Sequence, residues 1–131
     1  MAGESSQKSA KVIIVTNLKG GVAKTTNTLH LARGLSEHGF KSLVIDFDST
    51  GGATELMGFP SRGPWPSSYE LLTGDEDPMD CVLTSENVDI DLPEGIDLVP
   101  GSDKLEELDA WLAQNKYRTQ QDLLQIGRAH V

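Results

Sequence analysis

Two lysines, two glycines and two threonines stand within eight consecutive residues of the segment 17–27, NLKGGVAKTTN. Together they could hold a phosphate. Such a cradle needs successive backbone N–H groups turned inward and little side-chain bulk against the ligand. It also needs a lysine for the outer phosphates and a hydroxyl for a divalent metal where a helix begins. Gly20, Gly21, Lys24 and Thr25 meet those needs in order. The usual phosphate-loop pattern, GxxxxGK[ST], fails at both glycines, because Leu18 and Ala23 occupy them. A second lysine, Lys19, immediately precedes the Gly-Gly pair instead. A tight turn carrying an exposed lysine is the ordinary alternative, and the doubled lysines and threonines after an apolar run argue against it. Farther along, Asp46 and Asp48 end the run KSLVIDFD. They suit a metal or a reacting water; strand-end acids that cap the next turn are the competing reading.

The elements that must position these residues follow from hydrophobic patterning. Residues 12–15, VIIV, form a continuous β-branched run, as expected of a strand covered on both faces in a parallel sheet. The turn occupies 17–24. Leu31, Ala32 and Leu35 recur at helical spacing within 25–38, and Gly39 follows where a C-terminal cap belongs. Residues 41–47 supply a second strand, so the unit closes as βαβ with a right-handed crossover and parallel strands.

With those elements in place, KGGVAKTT has the deviant Walker A form KGGxxK[ST], and with LVIDFD it resembles the ParA/MinD group of P-loop ATPases. The segment GGATELMG is most similar to the ParA branch, and the likeness runs over about residues 11–105. The resemblance implies an α/β fold whose three-layer parallel sheet is of the P-loop NTPase type. It implies ATP and Mg as cofactors, with Lys19, Gly20, Gly21, Val22, Ala23, Lys24, Thr25 and Thr26 binding the nucleotide. Lys24 would take the phosphates of its own subunit, Thr25 the metal and Thr26 the α-phosphate side. Lys19 would reach the partner's phosphates across an ATP-dependent homodimer. Asp48 would orient the attacking water, and Asp46 would sit near the metal or its waters.

The activity so implied is ATP hydrolysis in the intact parent protein, used to partition or position DNA or other cargo. The implied partners are a ParB-like adaptor and non-specific DNA, the latter through segments absent from this chain, with a cytoplasmic or nucleoid-associated location. Two alternatives stay open: a MinD-like membrane-positioning ATPase, and a nucleotide-dependent regulator or scaffold that does not hydrolyse. Two departures from the family pattern bear on these. Ala23 replaces a glycine, which is tolerable in helical backbone and costs about 1 kcal/mol at positive φ. Ser49 and Thr50 replace the usual Pro-Gln after the second acid.

Composition sets outer limits. The 131 residues carry a net charge of −9, so the average surface repels nucleic acid and anionic membranes. One cysteine, Cys81, forms no internal disulfide and is expected to be a small core residue. The Pro/Gly-rich stretch 59–66 reads as a loop in which Trp65 packs locally. Residues 67–74 read as a short helix with Ser67 or Ser68 as N-cap and Gly74 as stop, 95–102 as a strand, and 104–124 as a helix with a Leu105, Leu108, Leu112 stripe. The expected organisation is a flexible tail at 1–10, the N-terminal part of a ParA-like ATPase domain at 11–125, and a non-native tail at 126–131. That tail, IGRAHV, coincides with a translated sequencing adapter and suggests truncation. Three strands, 12–15, 43–45 and 96–99, leave one flank of the sheet with unpaired edge and apolar surface. The isolated chain is therefore expected to be marginally stable, with negligible Mg-ATPase activity.

Overall fold

The helix that follows the phosphate-loop segment takes its shape from a single inward row of small and apolar side chains. In the computed structural model, which describes residues 9–16, 23–60 and 63–115, α1 spans Lys24–Glu37. Ala32 is buried and Leu29 packs against the core, whereas Leu31 faces solvent. The inward face therefore runs 25, 29, 32, 36, rather than through Leu31 as the sequence reading had it. This is the i, i+4, i+7 progression of one helical stripe. The helix ends in a Schellman motif: Gly39, at φ 85°, donates to the Ser36 carbonyl, and Phe40 donates to that of Leu35. The expected glycine stop is thus observed.

The chain then enters β1, Ser42–Ile45, which pairs in parallel with β2, Ile96–Val99, in the register Ser42 opposite Ile96 through Ile45 opposite Val99. A further ladder bond, from the Asp46 N–H to the Val99 carbonyl at 3.0 Å, carries the pairing onto the first acid. On the other side of β2, Leu83 and Leu98 exchange both backbone hydrogen bonds in an isolated antiparallel bridge. Between the strands lie α2, Gly52–Leu56, α3, Ser68–Thr73, and a 3₁₀ turn at Pro78–Cys81. Ser67 is the N-cap of α3 in a full capping box with Glu70, and Gly74 closes that helix in left-handed conformation. Val44, Met57, Phe59, Leu83, Leu92, Ile96 and Leu98 meet Ala32 in one core. Trp65 packs edge-on against Phe59, with ring centroids 5.2 Å apart. Cys81 is fully buried, and desolvation pushes its thiol up to about 11, so it is an inert core group.

Two expectations need correction. Residues 12–15 form no strand: Val12, Ile13 and Ile14 are 74%, 61% and 80% exposed and pair with nothing among the described residues. β-branched runs fit a pleated, covered surface rather than dictating one, so without a ladder neighbour and a cover the run stays irregular. Among the described residues the sheet has two strands where three were expected. The second correction concerns 104–124. The segment begins as a 3₁₀ turn at Asp103–Glu107 rather than as α-helix, and α-helix, α4, follows at Leu108–Asn115, where the described residues end. Ser102 caps this turn: its carbonyl takes the Leu105 N–H in an i to i+3 bond while its hydroxyl takes the Lys104 N–H. The remainder of that segment and the 126–131 tail lie outside the described residues.

Leu98, fully buried between β1 and the Leu83 bridge, is the keystone of this packing. Leu98→Ala should destabilise the fold by about 2–5 kcal/mol, read as a lower urea midpoint at unchanged slope; an unaltered midpoint would show that the core does not centre on β2.

Candidate functional site

The carboxyl ends of β1 and β2 and the start of α1 converge on one edge, where ligands bind in open α/β folds. At the head of α1, Ala23 has φ 59° and ψ 21°, making it the one non-glycine residue with positive φ among those described. The strained alternative considered for this alanine is the one the chain adopts, at a cost of about 1–2 kcal/mol. The conformation has a use. Ala23 is the N-cap with no side-chain cap, its carbonyl takes the Asn27 N–H at 2.9 Å, and the first turn holds no acid. The first N–H groups of the helix are therefore left without an intrahelical partner at the positive end of the dipole. An uncapped, acid-free helix start following a Gly-Gly pair fits a phosphate group.

Lys24 and Thr25 are half-buried there and Thr26 is exposed. Gly52, the first residue of α2, packs so closely on Thr25 that a Cβ would come within 3.1 Å of the Thr25 hydroxyl. Lys19, Gly20, Gly21 and Val22 lie outside the described residues.

The two acids take distinct environments. Asp46 is 5% exposed. Its Oδ2 accepts from both the N–H and the hydroxyl of Thr54, at 3.0 and 2.7 Å, and its Oδ1 accepts the Asp48 N–H at 3.0 Å. A carboxylate has about four acceptor sites, so most of Asp46's capacity is spent within the chain. Asp48 is half-buried, and its Oδ1 accepts the Thr50 N–H at 2.9 Å and the Thr50 hydroxyl at 2.8 Å. These two bonds, the backbone one first, hold its carboxyl below the usual range against partial burial, and the Lys24 charge adds to them. The turn-capping reading of the strand-end acids therefore describes one oxygen of Asp48. Both of its described bonds fall on Oδ1, and Oδ2 takes none among the described residues.

Sequence reading missed Thr54, Gly101 and Ser68 as parts of this site. Thr54 has no exposed surface, and its hydroxyl also accepts the Gly101 N–H at 2.8 Å. Ser68, considered only as a helix cap, donates its hydroxyl to the Asp46 carbonyl at 2.7 Å. No local pattern announces such residues, since each acts across a fold-dependent gap.

A family model described as an AAA domain matches residues 10–127. The chain belongs to this family, the ParA/MinD type of P-loop ATPase. Among ParA/MinD-type relatives, it is 37% identical over 82 residues to the sporulation initiation inhibitor protein Soj of Bacillus subtilis, covering 61% of this chain and 32% of Soj. It is 30% identical over 122 residues to the chromosome partitioning protein ParA of Caulobacter vibrioides, covering 92% of this chain and 43% of that protein. Its fold is similar to the crystal structure of cobyrinic acid a,c-diamide synthase from Mycobacterium smegmatis with bound ADP and magnesium. The TM-score is 0.68 at 31% identity, covering 79% of this chain and 38% of the synthase. The chain thus spans between a third and a half of the length of these proteins. The α/β, parallel-sheet P-loop fold expected from the motifs is the fold found. Among the described residues, no helix is long and apolar enough to cross a membrane.

Because the folded-state pKa of Asp48 is depressed, the ionised form adds stability above the unfolded carboxylate value, and that contribution is lost as pH falls through the folded value. Thr50→Val removes one donor and should raise the Asp48 pKa toward its ordinary 3.8, narrowing that acid-side loss. A carboxyl NMR titration checks this, and an unmoved Asp48 pKa would rule out the Thr50 hydroxyl as a cause.

Proposed function

We propose that the full-length protein is a ParA-like ATPase that binds Mg-ATP and hydrolyses it in a nucleotide-dependent homodimer to partition or position DNA or other cargo. The observation that carries this reading is the pairing of an uncapped, acid-free start of α1 with Asp48. That acid is kept ionised by Thr50 and lies within the electrostatic reach of Lys24. In relatives' structures the same fold holds ADP or an ATP analogue with magnesium, which supports these as the ligands here.

The residues divide the work as follows. The amides at the head of α1 and the Lys24 ammonium bind and orient the phosphates, with Thr26 on the α-phosphate side and Lys19 reaching the partner subunit's phosphates. Thr25, backed by Gly52, and the remaining acceptor capacity of Asp46 would hold Mg, which supplies charge neutralisation on the phosphates. Asp48 accepts a hydrogen bond from water through Oδ2 and aims its oxygen at the γ-phosphorus. The new P–O bond forms as the bond to the bridging oxygen breaks, releasing ADP and phosphate. Release would be stimulated by a ParB-like adaptor, in the cytoplasm or on the nucleoid.

The left-handed backbone of Ala23 favours a second reading, a regulator that binds nucleotide without turning it over. One pair of variants of the full-length protein decides. Lys24→Ala should weaken nucleotide binding at least about tenfold, whereas Asp48→Ala should leave binding within about threefold and abolish phosphate release. Sedimentation with Mg-ATP should show a dimer. Equal loss of binding in both variants would refute the division of roles, and tight binding by the wild type without phosphate release would select the regulator.

A further inference from the structure

Asp46, Thr54 and Gly101 form a buried node whose geometry points beyond fold maintenance. Thr54 gives both of its donors to one oxygen of Asp46, and the other oxygen of Asp46 takes the Asp48 N–H. The hydroxyl of Thr54 simultaneously accepts from the Gly101 N–H, two residues past the end of β2. Gly101 in turn lies so close that a Cβ there would come to 2.8 Å from the Asp48 carbonyl oxygen and 3.0 Å from Asp46 Cγ. Asp48 is thus held by its backbone from two sides. Its N–H is fixed by the Asp46 carboxyl, and its carbonyl oxygen is wedged against Gly101 while accepting from the Gly51 N–H at 3.0 Å.

We propose that Thr54 is a positioning residue for hydrolysis: through Asp46 it fixes the backbone of Asp48, and so sets where the Asp48 carboxyl places the attacking water. The inference rests on the proposed ATPase reading. Thr54 touches neither phosphate nor water in this arrangement and acts through the two acids. The chain from Thr54 to Asp48 has one intermediate, the Asp46 carboxyl, so loosening it moves Asp48 directly. The node meets the head of α1 through α2, whose Gly52 packs on Thr25, and not by a described hydrogen bond to Lys24 or Thr25. Turnover should therefore suffer more than affinity. A displacement of about 1 Å in a reacting group can cost on the order of 10²-fold in rate. A methyl in place of the hydroxyl removes one of the two donors to Asp46 and the acceptor for Gly101 at similar volume, whereas serine keeps both groups.

The experiment compares full-length wild type, Thr54→Val and Thr54→Ser for single-turnover phosphate release and for binding of a fluorescent ATP analogue with Mg. Thr54→Val should slow release by about ten- to a hundredfold with affinity within about threefold, and Thr54→Ser should restore release to within about threefold. Gly101→Ala, whose methyl would push on the Asp48 carbonyl, should show the same split and serves as the second handle if Thr54→Val does not fold. Release by Thr54→Val equal to the wild type overturns the inference while leaving the ATPase reading intact. Parallel loss of binding and of cooperative unfolding in both Thr54→Val and Gly101→Ala reduces the node to a structural strut and also overturns it. A wild type that binds no nucleotide removes the functional reading itself.

Discussion

A carboxyl group 5% exposed at the end of a parallel strand is the constraint on which this arrangement turns. Burying Asp46 without partners would cost several kcal/mol, and the chain meets that cost by bringing donors from two separate places, Thr54 on α2 and the backbone of Asp48. Each donor then has a second commitment. Thr54 accepts from Gly101, so α2 is tied to the end of β2. Ser68 donates to the Asp46 carbonyl and its N–H reaches the Pro100 carbonyl at 2.8 Å, so α3 is tied to both strand ends. One buried acid thereby organises three segments that are far apart in sequence.

The two acids illustrate how environment separates residues of one type. Asp46 and Asp48 are two residues apart, yet one is enclosed and engaged through both oxygens while the other is half-buried and engaged through one. A threonine serves each, contributing its N–H and its hydroxyl to a single oxygen. The difference lies in what surrounds the threonine. Thr54 is sealed against β2, and Thr50 is on the surface. The first arrangement uses both carboxyl oxygens of Asp46 within the chain, and the second leaves one oxygen of Asp48 without a described bond.

Among the described residues, the one non-glycine held at positive φ stands at the head of α1. Ala23 is held in left-handed conformation directly before the first helical residue. That N-cap offers no side chain to the first N–H groups of the helix, whereas a capping Ser or Asp there would occupy them.

The sequence by itself determined whatever depends on neighbours along the chain. It specified the α1 stop at Gly39, the Ser67 and Gly74 boundaries of α3, and the parallel β1 and β2 runs, because caps, turns and spacing are local physics. Tertiary structure alone decided the rest. The apolar run 12–15 was legible as a strand, yet a strand exists only with a ladder partner and a cover, and neither is supplied to it among the described residues. The inward face of α1 shifted from Leu31 to Leu29 because the position of the sheet, not the helical period, chooses which stripe is buried. The contact between Thr54 and Gly101 carries no local signature: this 2.8 Å bond joins residues 47 positions apart. Such a contact has no meaning until β1 and β2 lie side by side, and only then does a buried carboxyl require the donors that these residues supply or hold in place.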